Sequence, residues 1–181
     1  VKNANDVKSV LTILNEVNNK HINIISKIEN EDAVNNIEEI IEYSDAINVA
    51  RGDLGVMLDF ERIPGIQKKI INLCHEQETV CLVSTELMST MEHSLRPTRA
   101  EVSDVANAIL DGVDGVILSG ETTIGKFPIE TLIMLEKIIN ATEKDMLYKT
   151  AMPKTQDITT IIAKNVVNTV NELDCLAIIA P

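Results

Sequence analysis

The chain has 181 residues, of which 45% are hydrophobic and 24% charged, and this balance is typical of a globular chain that buries one core of ordinary domain size. Its net charge of −12 is spread along the chain, which argues against a nucleic-acid-binding protein. No apolar run reaches the roughly 20 residues that a membrane-spanning helix needs, so we expect no membrane association. Three cysteines without CxxC spacing indicate a reduced, intracellular chain.

Short runs rich in β-branched residues alternate with segments of helical periodicity. The predicted buried strands are 22–26, 46–50, 80–85 and 113–118, and the predicted helices are 7–17, 33–41, 66–75, 102–110 and 129–139. Pro64 and Pro128 suit first-turn positions of helices, and Thr98 with Glu101 predicts a capping box. The alternation predicts an α/β fold with a parallel sheet, either doubly wound or a barrel.

The pattern changes after residue 141. A polar stretch from 144 to 157 precedes a predicted helix at 158–170 and a predicted strand at 175–180. We therefore place a domain boundary near residue 151, with 1–150 in one domain and 151–181 in a second. Because four strands are half the number that closes an eight-stranded barrel, we expect the chain to be part of a longer protein.

Polar residues follow each of the four main predicted strands at its carboxyl end. They are Lys27 and Glu29, Arg51 to Asp53, Thr85, and Ser119 to Glu121. A TIM barrel keeps its active site at this end of its strands. The position of these residues therefore favours the barrel over the doubly wound sheet.

Lys27 and Glu29 lie two residues apart, so their side chains share one face of an extended strand. For an isolated pair of this kind, an inward-facing salt bridge is the more common explanation. Glu29 and Asp53 together offer two carboxylates from neighbouring strand ends, which suits one hard cation such as Mg²⁺. Asp53 alone is more typical of a turn or of a helix cap.

Glycines on both sides of Asp53 let the backbone bend and approach a ligand, and free N–H groups at Gly52 and Asp53 would bind a carboxylate or phosphate. Thr85, Ser119 and Glu121 supply groups that hold water and relay a proton, although each alone is more typical of a loop hydrogen bond or cap. The three histidines lack metal-ligand spacing and no P-loop is present, which excludes zinc hydrolases and P-loop kinases.

Four stretches resemble those of the pyruvate kinase family: SKIEN at 26–30, ARGDLG at 50–55, RPTRAE at 96–101 and LSGET at 118–122. They occur in the order and at approximately the intervals found in that family. The resemblance implies an α/β chain that forms the second half of a TIM (β/α)8 barrel, strands 5 to 8, in residues 1–150. Residues 151–181 would begin an α/β C-terminal domain with its first helix and strand.

The resemblance also implies the roles of the site residues. Lys27 is the catalytic lysine that stabilises the transferring phosphoryl group and the enolate of pyruvate. Glu29 and Asp53 are the protein ligands of Mg²⁺ or Mn²⁺. The backbone of Gly52 and Asp53, together with Thr85, binds the substrate carboxylate.

Ser119, Glu121 and Thr85 correspond to a water network that delivers the proton turning the enolate into pyruvate. The implied partners are phosphoenolpyruvate and ADP, with K⁺ held by ligands outside this chain. The whole protein is expected to be a homotetramer in the cytoplasm, with an organelle as the alternative location. The chain alone is expected to be inactive and to associate through its two open sheet edges.

Three residues depart from the family pattern. Glu86 replaces a glutamine after the site threonine, Met57 replaces a frequent glutamate, and Ile124 replaces a lysine that contacts the nucleotide, with Lys126 two positions later. A carboxylate added near the metal changes the local charge by about one unit. A noncatalytic paralogue with a regulatory role is therefore one alternative, and a related barrel performing carbon–carbon chemistry on an α-keto acid is another.

Overall fold

Four strands pair in parallel in the computed structural model, which describes residues 1–17, 21–144 and 158–173. They are β1 (Ile25–Ile28), β2 (Ala46–Ala50), β3 (Val80–Ser84) and β4 (Gly115–Ile117), and they lie side by side in chain order. A doubly wound sheet reverses its strand order at a switch point, whereas a barrel adds each strand beside the preceding one. The sequential order therefore agrees with a barrel.

Helices separate the strands as the periodicity predicted. They are α1 (Ala4–Glu16), α2 (Glu31–Asn35), α3 (Ile37–Glu42), α4 (Arg51–Met57), α5 (Ile63–Glu76), α6 (Arg99–Leu110), α7 (Gly120–Thr123), α8 (Pro128–Lys144) and α9 (Ile158–Leu173), with short 3-10 turns at Phe60–Arg62 and Ser89–Glu92. The single helix predicted at 33–41 is wrong, because α2 and α3 meet at Asn36. The capping box of α6 is confirmed, since the hydroxyl of Thr98 and the carboxylate of Glu101 each accept the other residue's N–H.

One face of the sheet is packed against helices. Its side chains, Ser26, Ile28, Ile47, Val49, Cys81 and Val83, are all buried, and the apolar ones join residues of α3 and α5 in one core cluster. Burial of this apolar surface supplies most of the stability of the first unit. A second cluster gathers Leu87, Met88 and Met91 with apolar residues of α6 and α8.

The opposite face of the sheet carries the remaining strand residues, among them Ile25, Lys27, Asn48, Leu82 and Gly115. Ile25 is 54% exposed, whereas Ala46, Ala50 and Ser84 on the same face are buried, so the prediction of buried strands is wrong for only part of this face. Lys27 pairs in register with Asn48, and Asn48 with Leu82. The three side chains therefore lie in one row across the sheet.

The first strand lies further along the chain than predicted. Asp45 fixes its entry, because the carboxylate of Asp45 accepts the N–H of Ile24 at 2.7 Å and the N–H of Asp45 donates to the carbonyl of Ile24 at 3.0 Å. Ile22, expected in the strand, is 52% exposed and precedes it. Lys27 is therefore part of β1 instead of following it.

The chain divides into two compact units, Val1–Met146 and Leu147–Pro181. The boundary expected near residue 151 and the strand expected at 175–180 lie outside the described residues. In the second unit, α9 confirms the predicted helix. Across the described parts of both units, no helix combines the length and the apolar composition that a membrane crossing requires.

Candidate active site

Lys27, Glu29 and Asp53 form one ion cluster at the carboxyl ends of β1 and β2. The Lys27 ammonium donates to Glu29 Oε2 at 2.6 Å and to Asp53 Oδ2 at 2.5 Å. Lys27 and Glu29 share a face because they lie two residues apart, and Asp53 approaches because α4 begins directly after β2. The expected salt bridge between Lys27 and Glu29 is present, and Asp53 joins it.

The two carboxylates raise the pKa of Lys27 above its ordinary value of 10.5, first through the hydrogen bond that the ammonium donates to Asp53 and second through the one it donates to Glu29. Partial burial opposes this effect. The lysine is therefore held as a cation at neutral pH. All three side chains remain between about a third and a half exposed, so a ligand can reach them.

The donor set of this cluster fits a hard divalent cation. Glu29 and Asp53 direct one oxygen each at the same ammonium nitrogen, so both oxygens converge on a point that a cation can occupy. Within the described residues, no group of three or more Asp, Glu, His or Cys side chains is placed to hold a metal. Two carboxylates with the remaining positions left to water and substrate are typical of Mg²⁺.

Thr85 lies opposite the start of α4. Its hydroxyl accepts the N–H of Gly52 at 2.6 Å and donates to the carbonyl of Ser84 at 2.6 Å. The expectation of a free N–H at Gly52 is therefore wrong in this state, because the hydroxyl of Thr85 occupies it. A Cβ added at Gly52 would lie 3.1 Å from that hydroxyl oxygen, so only glycine allows this approach without displacement.

Arg51 fixes the loop that carries Thr85. Thr85 and Glu86 both have positive φ angles, 68° and 53°, which non-glycine residues adopt at a cost. The buried Arg51 guanidinium donates to the carbonyls of Thr85 and Glu86 at 3.1 and 3.0 Å, and it pairs with Asp104 of α6 at 2.7 Å. Charged hydrogen bonds of this kind offset the backbone strain and hold Thr85 against Gly52.

Glu121 lies in a buried position after β4. Its two carboxylate oxygens accept the N–H of Met88 at 3.0 Å and the N–H of Ser119 at 2.9 Å, and the residue is only 1% exposed. Among the hydrogen bonds of the described residues, none joins Ser119 or Glu121 to Lys27. The structure thus brings Lys27, Glu29 and Asp53 together and joins Gly52 to Thr85, while Glu121 ties two loops at the same end of the sheet.

Two of the residues that depart from the family pattern, Met57 and Glu86, line cavities beside residues of this site. Met57 is exposed and lines a cleft of about 600 Å³ with Glu29 and Asp53. Glu86 lines a different cavity, of about 160 Å³, beside Arg51. Ile124 is 76% exposed after α7, and the N–H of Lys126 donates to the Glu92 carbonyl at 2.8 Å.

Two residues of the site were not assigned a role from the sequence. Arg51 lies in the ARGDLG stretch, but its partners Thr85, Glu86 and Asp104 are 34 to 53 residues away in the sequence. Asn48 is a polar residue in the middle of an apolar strand, and that contrast with its neighbours was a signal available in the sequence.

Fold and site together define an α/β protein of the barrel type, with its polar residues gathered at the carboxyl ends of parallel strands. A family model described as the barrel domain of pyruvate kinase matches residues 1–132. The chain belongs to the pyruvate kinase family.

Individual pyruvate kinases show the same similarity. The pyruvate kinase of Geobacillus stearothermophilus is 42% identical over 186 residues, which cover 100% of this chain and 32% of that protein. The enzyme of Clostridium acetobutylicum is 44% identical over 148 residues, covering 82% and 31%, and that of Borreliella burgdorferi is 43% identical over 183 residues, covering 99% and 38%. The chain thus spans about a third of the length of these relatives.

Proposed function

We propose that this chain supplies part of the active site of a pyruvate kinase, in which a phosphoryl group passes from phosphoenolpyruvate to ADP to give pyruvate and ATP. The convergence of Lys27, Glu29 and Asp53 at the strand ends supports this function most directly. We place the chain as strands 5 to 8 of the TIM barrel followed by the start of the C-terminal domain. Activity is expected only when the other barrel strands are present.

Lys27 is the proposed electrophile. Its ammonium is cationic at neutral pH, and a fixed positive charge stabilises the negative charge that develops on the transferring phosphoryl group and on the enolate. Glu29 and Asp53 would hold Mg²⁺ or Mn²⁺. When bound, the metal neutralises charge on the substrate oxygens, which neither carboxylate can do.

Gly52, Asp53 and Thr85 are the proposed site for the substrate carboxylate. The N–H of Gly52 already donates to one oxygen, the hydroxyl of Thr85, at 2.6 Å. A substrate carboxylate would take over this donor, and the hydroxyl of Thr85 would turn to donate to the same anion. Arg51 keeps Thr85 in place during this exchange, because it binds the Thr85 carbonyl and not the hydroxyl, which would exchange its bond to the Ser84 carbonyl for one to the substrate.

Proton delivery to the enolate is assigned to a network containing Thr85, Ser119 and Glu121. Both oxygens of Glu121 already accept backbone N–H groups, so its contribution is to fix the loops that carry the other two groups. The hydroxyls of Thr85 and Ser119 are the groups of this network that can pass a proton to water.

The remaining expectations concern the whole protein. We propose that it binds K⁺ through ligands outside this chain, that it forms a homotetramer, and that it works in the cytoplasm or an organelle. The two edge strands of the described sheet, β1 and β4, are the edges through which the isolated chain would associate. Light scattering that showed a stable monomer at micromolar concentration would contradict this association.

A noncatalytic paralogue is the second candidate, favoured by Ile124 in the place of a nucleotide-contacting lysine. The deciding experiment is phosphoryl transfer from phosphoenolpyruvate to ADP by the whole protein in the presence of Mg²⁺ and K⁺. Steady ATP formation that stops when Mg²⁺ is removed supports the kinase. No ATP formation by a folded protein that still binds Mn²⁺, detected by electron paramagnetic resonance, supports the paralogue.

A further inference from the structure

Asn48 is a polar residue whose chemistry the proposed reaction does not use. It lies in β2 between Ile47 and Val49, which point into the helix-covered core and are fully buried. Its side chain therefore points to the opposite face. The amide oxygen of Asn48 is buried and has no hydrogen-bond partner among the described residues. Leaving a buried acceptor unpaired costs about 1–3 kcal/mol, so the unpaired oxygen of Asn48 calls for a partner in another state of the protein.

Lys27 is the one cationic residue in the four described strands. The Cα atoms of Lys27 and Asn48 are paired in register, so the two side chains project from the same face of neighbouring strands. On its other side Asn48 pairs with Leu82, which has no donor to offer. Neighbouring strands are about 4.8 Å apart, and the four-carbon stem of a lysine spans that distance easily.

The Lys27 ammonium is engaged elsewhere in this structure. It donates to Glu29 at 2.6 Å and to Asp53 at 2.5 Å. In the proposed function, both carboxylates turn to a divalent cation, which removes these two acceptors and places a second positive charge next to the ammonium. Until a substrate supplies its own oxygens, the ammonium then lacks an acceptor, and Asn48 offers an unpaired one on the same face.

We propose that Asn48 is the alternate hydrogen-bond partner of Lys27. Its amide oxygen accepts a hydrogen bond from the Lys27 ammonium whenever Glu29 and Asp53 are not available to that ammonium. For the metal-bound protein, this inference rests on the proposed function. Asn48 is then a positioning residue: it keeps the ammonium directed along the open face of the sheet instead of letting it follow the carboxylates. The result is a lysine with two fixed positions, one on the carboxylates and one on the amide.

A double-mutant cycle in the full chain tests this pairing without metal. In the background Glu29→Ala/Asp53→Ala, the substitutions Lys27→Met and Asn48→Leu are made singly and together, and urea unfolding is followed by circular dichroism. We expect the two substitutions to couple by about threefold to tenfold in the unfolding constant in this background. In the unaltered background, where the carboxylates hold the lysine, the coupling should be absent.

Control substitutions separate the hydrogen bond from packing. Asn48→Asp keeps an acceptor oxygen and should retain the coupling with Lys27, whereas Leu82→Ala changes the same row of the sheet without touching an acceptor and should show none. Additive effects of Lys27→Met and Asn48→Leu in the Glu29→Ala/Asp53→Ala background would overturn the proposal.

A structural measurement decides the question if these variants unfold. In the unaltered full chain with Mg²⁺ added, a nuclear Overhauser contact between the Lys27 ε-methylene and the Asn48 side-chain amide supports the pairing. If this contact is absent while Mg²⁺ shifts the carboxyl signals of Glu29 and Asp53, the pairing is overturned. Carboxyl signals that do not respond to Mg²⁺ contradict the proposed metal site instead, and the metal-free cycle still decides the role of Asn48.

Discussion

Replacing Glu121 with alanine should destabilise the fold, because this buried carboxylate joins two segments that are distant in sequence. Its Oε1 accepts the N–H of Met88, after β3, and its Oε2 accepts the N–H of Ser119, after β4. Met88 itself lies in the second core cluster, so its N–H has no route to water when the carboxylate is removed.

The magnitude follows from the two bonds. A buried donor left without an acceptor costs about 1–3 kcal/mol, and hydrogen bonds to charged groups lie toward the upper end of that range. The N–H of Ser119 is only partly buried and recovers some of its loss from solvent. We therefore expect Glu121→Ala to lower the free energy of unfolding by about 2–4 kcal/mol, and Glu121→Gln, which keeps one acceptor oxygen, by about 1–2 kcal/mol.

Urea unfolding of the full chain, followed by circular dichroism, measures this loss. With a slope of about 1–3 kcal/mol per molar urea, Glu121→Ala should lower the midpoint by at least about 0.7 M. Glu136→Ala, an exposed glutamate in α8, is the matched control and should leave the midpoint nearly unchanged. If Glu121→Ala and Glu136→Ala unfold at the same urea concentration, the carboxylate does not hold these loops together.

Three further predictions concern the ion cluster and two helix ends. Asp53→Ala should lower the pKa of Lys27 toward 10.5, measured by NMR titration of the Lys27 ε-methylene. Because the pKa of Lys27 is raised in the folded state, the ion cluster stabilises the fold fully below about pH 10.5. This stabilisation is lost as the pH rises through the folded pKa. An unchanged titration would contradict this. Gly112→Ala should cost about 1–3 kcal/mol, since φ is +93° and a Cβ would lie 2.5 Å from His75 Cε1; an unaltered thermal midpoint would refute it. Thr98→Ala removes the cap of α6 and should cost about 1 kcal/mol in urea unfolding, whereas Thr98→Ser should restore most of it.

The succession of elements was predictable because periodicity and capping are local properties of the sequence. The capping box at Thr98 and the prolines that open α5 and α8 lie where local chemistry placed them. The start of β1 was predicted too early, because it depends on Asp45, which binds the backbone of Ile24 across 21 residues. A contact of that separation leaves no periodic signal in the strand itself.

The candidate site was predictable in its membership more than in its geometry. The resemblance to the family identified Lys27, Glu29 and Asp53, and a two-residue spacing explains why the first two share a face. The sequence could not show that the N–H of Gly52 donates to Thr85, since this hydrogen bond depends on a φ angle of +68° at Thr85. That angle in turn depends on Arg51, whose partners lie on other elements.

Phosphoryl transfer from phosphoenolpyruvate to ADP by the whole protein tests the proposed role of Lys27 as the electrophile most directly. Lys27→Met should reduce kcat by at least about a hundredfold, as expected when a preorganised cation is removed from a developing charge. Lys137→Met, which changes an exposed lysine of α8, should leave kcat unchanged. Equal turnover by Lys27→Met and Lys137→Met would contradict the claim.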